Sequence, residues 1–268
     1  MPSLIDIHDP ADPRIDSYRD IRERDLVGRA GLFVAEGKVV VEKLVDSPLH
    51  GLLSLLIGAK RVDGLRPLLA RLPDDLPVYI AAQPVLDAIA GFAVHRGILA
   101  IGRRAAPLDG DALLARIRGD ANVLLLSGIA NHDNMGGIFR NAAAFGAAAV
   151  LLDADCCDPL YRKAIRVSVG ATLLVPTARL AHGDDAVALL ERHEFTPAAL
   201  SPAGATAVAD WRPAARNAVL LGAEGPGLSP ELLHRTQSLC IAMAAGFDSL
   251  NVATTSGIVL HHLATAPR

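Results

Sequence analysis

Three short stretches of this chain set side chains that bind or orient polar groups beside glycines that leave room for something to approach. The first runs Asn131-His132-Asp133-Asn134-Met135-Gly136-Gly137-Ile138-Phe139-Arg140-Asn141-Ala142-Ala143-Ala144-Phe145-Gly146. Asn134 reads as the N-cap of a helix. Gly136 and Gly137 open its entrance to close approach by a ligand or another chain, and Ile138, Ala142 and Phe145 recur at helical spacing as its buried stripe. Arg140 then points away from that stripe; from this stretch alone it reads equally as a solvated surface arginine or as a group facing a ligand. The second stretch, Val219-Leu220-Leu221-Gly222-Ala223-Glu224-Gly225-Pro226-Gly227-Leu228-Ser229-Pro230-Glu231, is a strand, a glycine-rich loop and a helix that Ser229 caps and Pro230 opens. Gly222 and Gly227 let backbone N–H and C=O groups come close to a bound nucleotide. No Lys-Ser or Lys-Thr pair follows these glycines, so this is not a P-loop. Nor does the loop follow the first strand of its domain, where a Rossmann loop belongs. Glu224 has a plainer alternative role, that of an acceptor stabilising its own loop.

The third stretch, Ile241-Ala242-Met243-Ala244-Ala245-Gly246-Phe247-Asp248-Ser249-Leu250-Asn251 and onward to Ile258, reads as a strand, a small-residue loop and a long helix. Asp248 or Ser249 can cap that helix, which leaves Asn251 at its mouth beside the free donors of the first turn. Simple capping is the alternative reading for Ser249 and Asn251. His261 and His262 read as helix-surface residues, since no third ligand or carboxylate is spaced to recruit them.

The elements that must position these residues follow from apolar periodicity. Up to residue 105, strands are expected at Leu32 to Ala35, Leu52 to Ile57, Val78 to Ala81 and Ile98 to Ile101, with helices at Lys38 to Val45, Leu65 to Leu72 and Pro84 to Ala90. That alternation describes a small α/β sandwich. Arg103 to Gly110 combines charge, Pro and Gly and reads as a linker, giving domains 1–105 and 106–268. In the second, strands are expected at Val123 to Ser127, Ala149 to Asp153, Thr172 to Val175, Thr196 to Leu200, Val219 to Gly222 and Leu239 to Met243. Several are continuous apolar runs, as in a parallel sheet covered on both faces. Helices are expected at Ile138 to Phe145, Asp185 to His193, Pro230 to Arg235 and Asn251 to Ala264.

At 268 residues, 51% hydrophobic and 21% charged, the chain has room for two modest domains. Its opening, MPSLIDIHDPADPRID, lacks the cationic start and apolar run of a secretory signal, and no apolar stretch is long enough to span a bilayer. A cytoplasmic protein is expected. Cys156, Cys157 and Cys240 offer neither CxxC nor Cys/His spacing, so they read as small buried hydrophobes and no metal is expected. The net charge of −3 does not announce a nucleic-acid partner, although it can hide a local basic face.

Taken together, the order and strand-loop-helix setting of the three stretches resemble the SpoU branch of the SPOUT superfamily, the TrmH-like RNA ribose 2′-O-methyltransferases, over roughly residues 120 to 265. Cys157-Asp158-Pro159 through Arg162, Arg166 and Ser168 to Gly170-Ala171 is similar to that family's connection between its first two motifs. Phe33-Val34-Ala35-Glu36-Gly37 and His95-Arg96-Gly97-Ile98 resemble, more weakly, its L30e-like RNA-binding extension. The resemblance implies an α/β fold: a C-terminal SPOUT domain with a mostly parallel sheet and a deep trefoil knot, and a small N-terminal α/β L30e-like domain. It implies S-adenosylmethionine as cofactor, held by main-chain groups at Gly222, Ile241 and Leu250 with Leu221, Met243, Gly227 and Ser249 around them. It further implies a homodimer through the catalytic domain. Ala242, where proline is usual, and the polar run Thr254-Thr255-Ser256 depart from the family pattern.

A ribose 2′-hydroxyl is a poor nucleophile that must lose its proton and line up behind the sulfonium carbon. Arg140 is the expected catalytic group, binding the neighbouring phosphate and polarising the hydroxyl, because a guanidinium stays protonated. Asn134, Glu224, Ser249 and Asn251 are expected to orient it, with Glu224 as an ionic partner. The substrate is expected to be ribosomal or transfer RNA, lying on basic residues drawn from Arg19, Arg22, Arg24, Lys60, Arg61, Arg103 and Arg104. Two rivals stand beside this reading. One is a knotted RNA-binding or ribosome-assembly factor without transferase activity; the other is a Rossmann-type enzyme of small molecules, which lacks its early glycine loop.

Overall fold

The computed structural model describes residues 2–19, 31–90 and 96–266, and they form two compact units. The first contains the residues up to Ala105 together with Leu160–Leu174, a segment from far along the sequence. Its strands are β1 (Leu4–Ile7), β2 (Leu32–Glu36), β3 (Gly51–Gly58), β4 (Val78–Ala81) and β5 (Ile98–Arg103), in the sheet order β1-β4-β3-β5-β2. β5 runs antiparallel to β2 and β3, while β3, β4 and β1 run parallel. Side chains alternate across the pleat. Leu55 and Ile57 therefore face one core with α1 (Lys38–Val45) and α2 (Val62–Leu69), and Leu56 faces another with Ile15, Tyr18 and Leu86 of α3 (Gln83–Ala90).

The second unit, residues 106–159 with the chain from Val175 on, is built on a sheet of order β10-β12-β9-β11-β6-β7-β8. Its strands are β6 (Ala121–Ser127), β7 (Ala149–Leu152), β8 (Thr177–Arg179), β9 (Thr196–Leu200), β10 (Thr206–Ala207), β11 (Arg216–Gly222) and β12 (Gln237–Cys240). Every pairing is parallel. The run Val123 to Leu126 is buried throughout, as a strand covered on both faces must be. One face packs Val123, Leu125, Leu151 and Leu220 against α4 (Gly110–Leu114), α7 (Ala186–Arg192) and α8 (Pro230–His234). The buried Asn217 donates from Nδ2 to Asn122 Oδ1 at 2.9 Å and to Ala214 O at 2.8 Å, and its Oδ1 accepts from Ala214 N at 2.9 Å, so the Asn217 amide is paired inside the protein.

Several elements differ from the sequence reading. The strand expected at Thr172 to Val175 is instead a 3-10 turn, Ala171–Leu173, opened by Gly170 in the left-handed region, and β8 begins only after Pro176. That stretch packs Leu173 into the first unit's core alongside Ile165 of α6 (Arg162–Val167), a helix the apolar pattern did not announce. β1, β10 and α4 are too short to give a periodic signal. The other expected strands and helices are present with ends shifted by a few residues.

Candidate functional site

The first motif's helix, α5 (His132–Ala144), starts earlier than its glycines suggest. Asn131 is the cap: its Oδ1 accepts from the N–H of Asp133 at 2.8 Å and of Asn134 at 3.4 Å. Asn134 is therefore not the N-cap but a buried first-turn residue, and its amide is free to work elsewhere. Likewise the third motif's helix, α9 (Val252–Thr265), is capped by neither Asp248 nor Ser249. Asn251 caps it, accepting from Ala253 N at 2.9 Å and Thr254 N at 3.2 Å.

These two corrections assemble the site. Asn251 caps through its oxygen and turns its Nδ2 outward, donating to Asn134 Oδ1 at 2.8 Å and to Glu224 Oε1 at 3.3 Å. Asn134 Nδ2 donates to the same Glu224 oxygen at 2.7 Å. One side chain from each motif thus enters a closed hydrogen-bonded cluster, and Glu224 accepts from the other two motifs.

The backbones around the cluster approach closely because side chains are missing where they meet. A Cβ on Gly222 would lie 2.3 Å from the carbonyl carbon of Gly227 and 2.4 Å from Leu228 N, so only glycine lets the second motif's loop fold back onto β11. A Cβ on Gly137 would lie 2.7 Å from that of Ala253. Farther along the same pair of helices, Asn141 Nδ2 donates to Ala253 O at 2.7 Å and Ser256 Oγ at 2.9 Å, and the Phe145 ring meets His261 edge-on at 5.8 Å between centroids. Contacts that ascend together in both helices mean that α5 and α9 lie parallel.

Beside the cluster opens a cleft of about 480 Å³ at the carboxyl ends of β9, β11 and β12. All seven residues expected around a cofactor line it: Leu221, Gly222 and Gly227 from the second motif, and Ile241, Met243, Ser249 and Leu250 from the third. Glu224 and Asn251 form part of the same wall, and Asn134 reaches it through them. Leu200, Ser201 and Pro202 also line it. They went unread because only the sheet order, with β9 between β11 and β12, brings them there.

Arg140 is placed differently. It is exposed on α5, six residues and therefore about 9 Å of helix rise beyond Asn134. It does not line the cleft, and it makes no hydrogen bond or ion pair among the described residues. The expected ion pair with Glu224 is absent among those residues, the carboxylate being taken up by the two asparagines.

In the first unit, Lys60, Arg61 and Arg103 are exposed and Arg104 is half-buried. Arg19 is tied to Asp16 at 2.7 Å and to the Asp12 carbonyl. Arg22 and Arg24 lie outside the described residues. The sequence reading passed over Arg96 as a basic contact; its side chain lies across Gly37, as Arg61 lies across Gly97. Among the described residues no three His, Cys, Asp or Glu side chains are grouped to hold a metal. The cysteines are free thiols, and Cys156 is pushed up to about 12 by burial first and the Asp153 carboxylate second.

Residues 121–261 match the profile of the SpoU rRNA methylase family. The chain belongs to that family. An uncharacterised tRNA/rRNA methyltransferase of Mycobacterium bovis is 38% identical to this SpoU methylase, over 96% of the chain and 90% of the relative. The 23S rRNA (guanosine-2′-O-)-methyltransferase RlmB of Photobacterium profundum is 28% identical over 81% of the chain and 90% of its own length. In fold, it is similar to an AdoMet-bound rRNA methyltransferase from Sinorhizobium meliloti, with a TM-score of 0.78 at 22% identity and 97% coverage of both chains. Against the SpoU methyltransferase AviRb of Streptomyces viridochromogenes, in complex with AdoMet, the TM-score is also 0.78, at 22% identity and 94% and 95% coverage.

The cleft of this SpoU methylase fits S-adenosylmethionine. Its volume is that of a small-molecule site. Leu221, Ile241, Met243 and Val252 give apolar walls for a purine, and the close-folded Gly222 to Gly227 loop and Ser249 give polar groups for its edges and for the amino-acid end.

Proposed function

We propose that this SpoU methylase transfers a methyl group from S-adenosylmethionine to a ribose 2′-hydroxyl of ribosomal or transfer RNA, in the cytoplasm. The observation that carries the reading is the Asn134–Glu224–Asn251 cluster built from all three motifs on the wall of the cleft. When bound, the cofactor supplies an electrophilic methyl on sulfonium. The chain must then hold the sugar oxygen in line behind that carbon, so that the O–C bond forms as the C–S bond breaks to leave a neutral thioether, with the hydroxyl proton released to solvent. Glu224, oriented by two amide donors, offers its carboxylate to the site, and Ser249 lines the same cleft. Arg140 stays protonated, so its part is to bind the phosphate next to the target and polarise the hydroxyl.

Arg140 shares the exposed side of α5 with Ala143 and Ala144, and α9 exposes Ile258 and His261. A second copy covering these helices would make the homodimer through the catalytic unit and set Arg140 at an edge shared by two subunits. The first unit is read as an L30e-like RNA-binding domain, with Lys60, Arg61, Arg96, Arg103 and Arg104 as its phosphate contacts. Residues 241–266, which carry the third motif, are the segment read as threading the knot.

The test is methyl transfer by the purified chain from labelled S-adenosylmethionine into separate ribosomal and transfer RNA pools. A 2′-O-methylated linkage survives alkali, because the hydroxyl that would cleave it is gone; label is expected in alkali-resistant dinucleotides. An Arg140→Ala protein is expected to bind cofactor as the wild type does and to transfer about 100-fold more slowly or worse. Label on bases, or cofactor binding with no transfer to either pool, contradicts the proposal.

A further inference from the structure

Among the described residues the most exposed large apolar side chain is Phe247, at 74%, whereas Phe33, Phe139 and Phe195 are buried. Its position is built rather than frayed. Phe247 N donates to Ala244 O at 3.2 Å, closing a turn whose third residue, Gly246, has φ +87°, the left-handed value a type II turn requires there. The turn lies between Met243 and Ser249, both of which line the cleft. The turn thus holds an exposed aromatic ring in the loop between two cleft-lining residues.

The reaction acts on a sugar and never touches the base, so the base has to be held somewhere while its ribose reaches the cleft. The polar side chains of the cluster are largely engaged with one another, Asn251 spending its Nδ2 hydrogens on Asn134 and Glu224 and its oxygen on the helix cap. An exposed ring offers instead a π face, which any unpaired base can stack on. From Phe247 to Asn251 the chain spans at most about 14 Å, the scale on which a nucleotide and its backbone extend. We propose that Phe247 is the stacking platform for the unpaired base of the nucleotide being methylated. The platform positions the target without reading its sequence. This rests on the RNA methyl-transfer reading, for which wild-type transfer is the control.

The experiment compares Phe247→Ala, Phe247→Leu and Phe247→Tyr in the full chain, using total RNA from a strain lacking the gene. Loss of one stacked base predicts that Phe247→Ala raises the KM for RNA about 5- to 100-fold. Phe247→Tyr restores it, and Phe247→Leu, equally apolar but without a π face, does not. Cofactor affinity and sedimentation are unchanged in all three. A Phe247→Trp protein gives a readout independent of turnover: with S-adenosylhomocysteine present, single-stranded oligoadenylate quenches the exposed indole, while the native Trp211 is buried and contributes no change. The proposal is overturned if leucine serves as well as phenylalanine or if the indole is not quenched. It is equally overturned if Phe247→Ala leaves the KM for RNA alone and shifts either cofactor binding, as a cofactor lid would, or the monomer–dimer equilibrium, as an interface would. If the wild type itself transfers nothing while the indole is quenched, the transfer reading fails and takes the target-nucleotide assignment with it, leaving only base stacking on this ring.

Discussion

Asn251 performs two tasks with one side chain, capping α9 through its oxygen and bracing Asn134 and Glu224 through its nitrogen. Substitutions can separate them. Asn251→Ala loses both, at about 1 kcal/mol for the cap, seen as a fall in Tm of about 2–4 °C. Asn251→Asp keeps a capping oxygen but sets a second carboxylate against Glu224, so Tm should hold while kcat drops by at least about tenfold; equal losses of Tm in both variants would contradict the division. Cys156 and Cys157 give a prediction of another kind. Burial first, then Asp153 for Cys156 and Asp158 for Cys157, push these thiols up to about 12 and about 11. Both are expected to resist iodoacetamide in the folded chain at pH 8 and to react once it is unfolded. A thiol raised on folding stabilises the protein fully below its ordinary value near 9. That contribution is lost as pH climbs from there toward the folded values, which an alkaline melt of a Cys156→Ala, Cys157→Ala protein, compared with wild type, would show. The seven residues to which the family resemblance pointed as cofactor neighbours all line one cleft. Residue type and spacing put the cap of α5 at Asn134, whereas Asn131 makes it; both are good caps three residues apart, and only the fold shows Asn134 engaged by Glu224.

At the scale of elements, the account depends on α5 and α9 lying close enough to join the first and third motifs. Gly137 permits that approach, and Asn141 fastens it through Ala253 and Ser256. Ser256, one of the polar residues that depart from the family pattern, thereby acquires a structural reason. Alanine is the better helix former by about 1 kcal/mol, so Gly137→Ala would stabilise an isolated helix. Here the added Cβ meets Ala253 at 2.7 Å. A net loss of about 1–3 kcal/mol is expected in chemical denaturation, with methyl transfer falling in parallel; a stabilised, fully active variant would show that the helices have slack. Long apolar strands such as β6 and β11 were legible because covering both faces demands continuous apolar runs. Residues 160–174 were not, since their apolar side chains answer to the first unit's core rather than to a periodicity of their own. Within that unit Arg162 pairs with the buried Glu36 at 2.6 Å, a contact between residues 126 apart that no local pattern signals.

For the whole molecule, the net charge of −3 leaves RNA binding to local arginines. If phosphate contacts lead, affinity falls steeply between 50 and 200 mM salt, roughly by a power of 0.7–0.9 per contact. Lys60→Ala and Arg61→Ala should each flatten that slope. Sheet order and the second motif's folded-back loop, which together shape the cleft, are properties of the assembled sheet and stood outside the reach of any single stretch of sequence. No helix among the described residues is long and apolar enough to cross a membrane. The central claim, that this cleft and its hydrogen-bonded cluster serve methylation of a ribose hydroxyl, is tested most directly by mapping 2′-O-methylation across all RNA from cells with and without the gene. The account predicts a ribose methyl that vanishes on deletion, returns with the wild-type chain and does not return with Arg140→Ala. Identical maps in the two strains, or the loss of a base methyl instead, would contradict it.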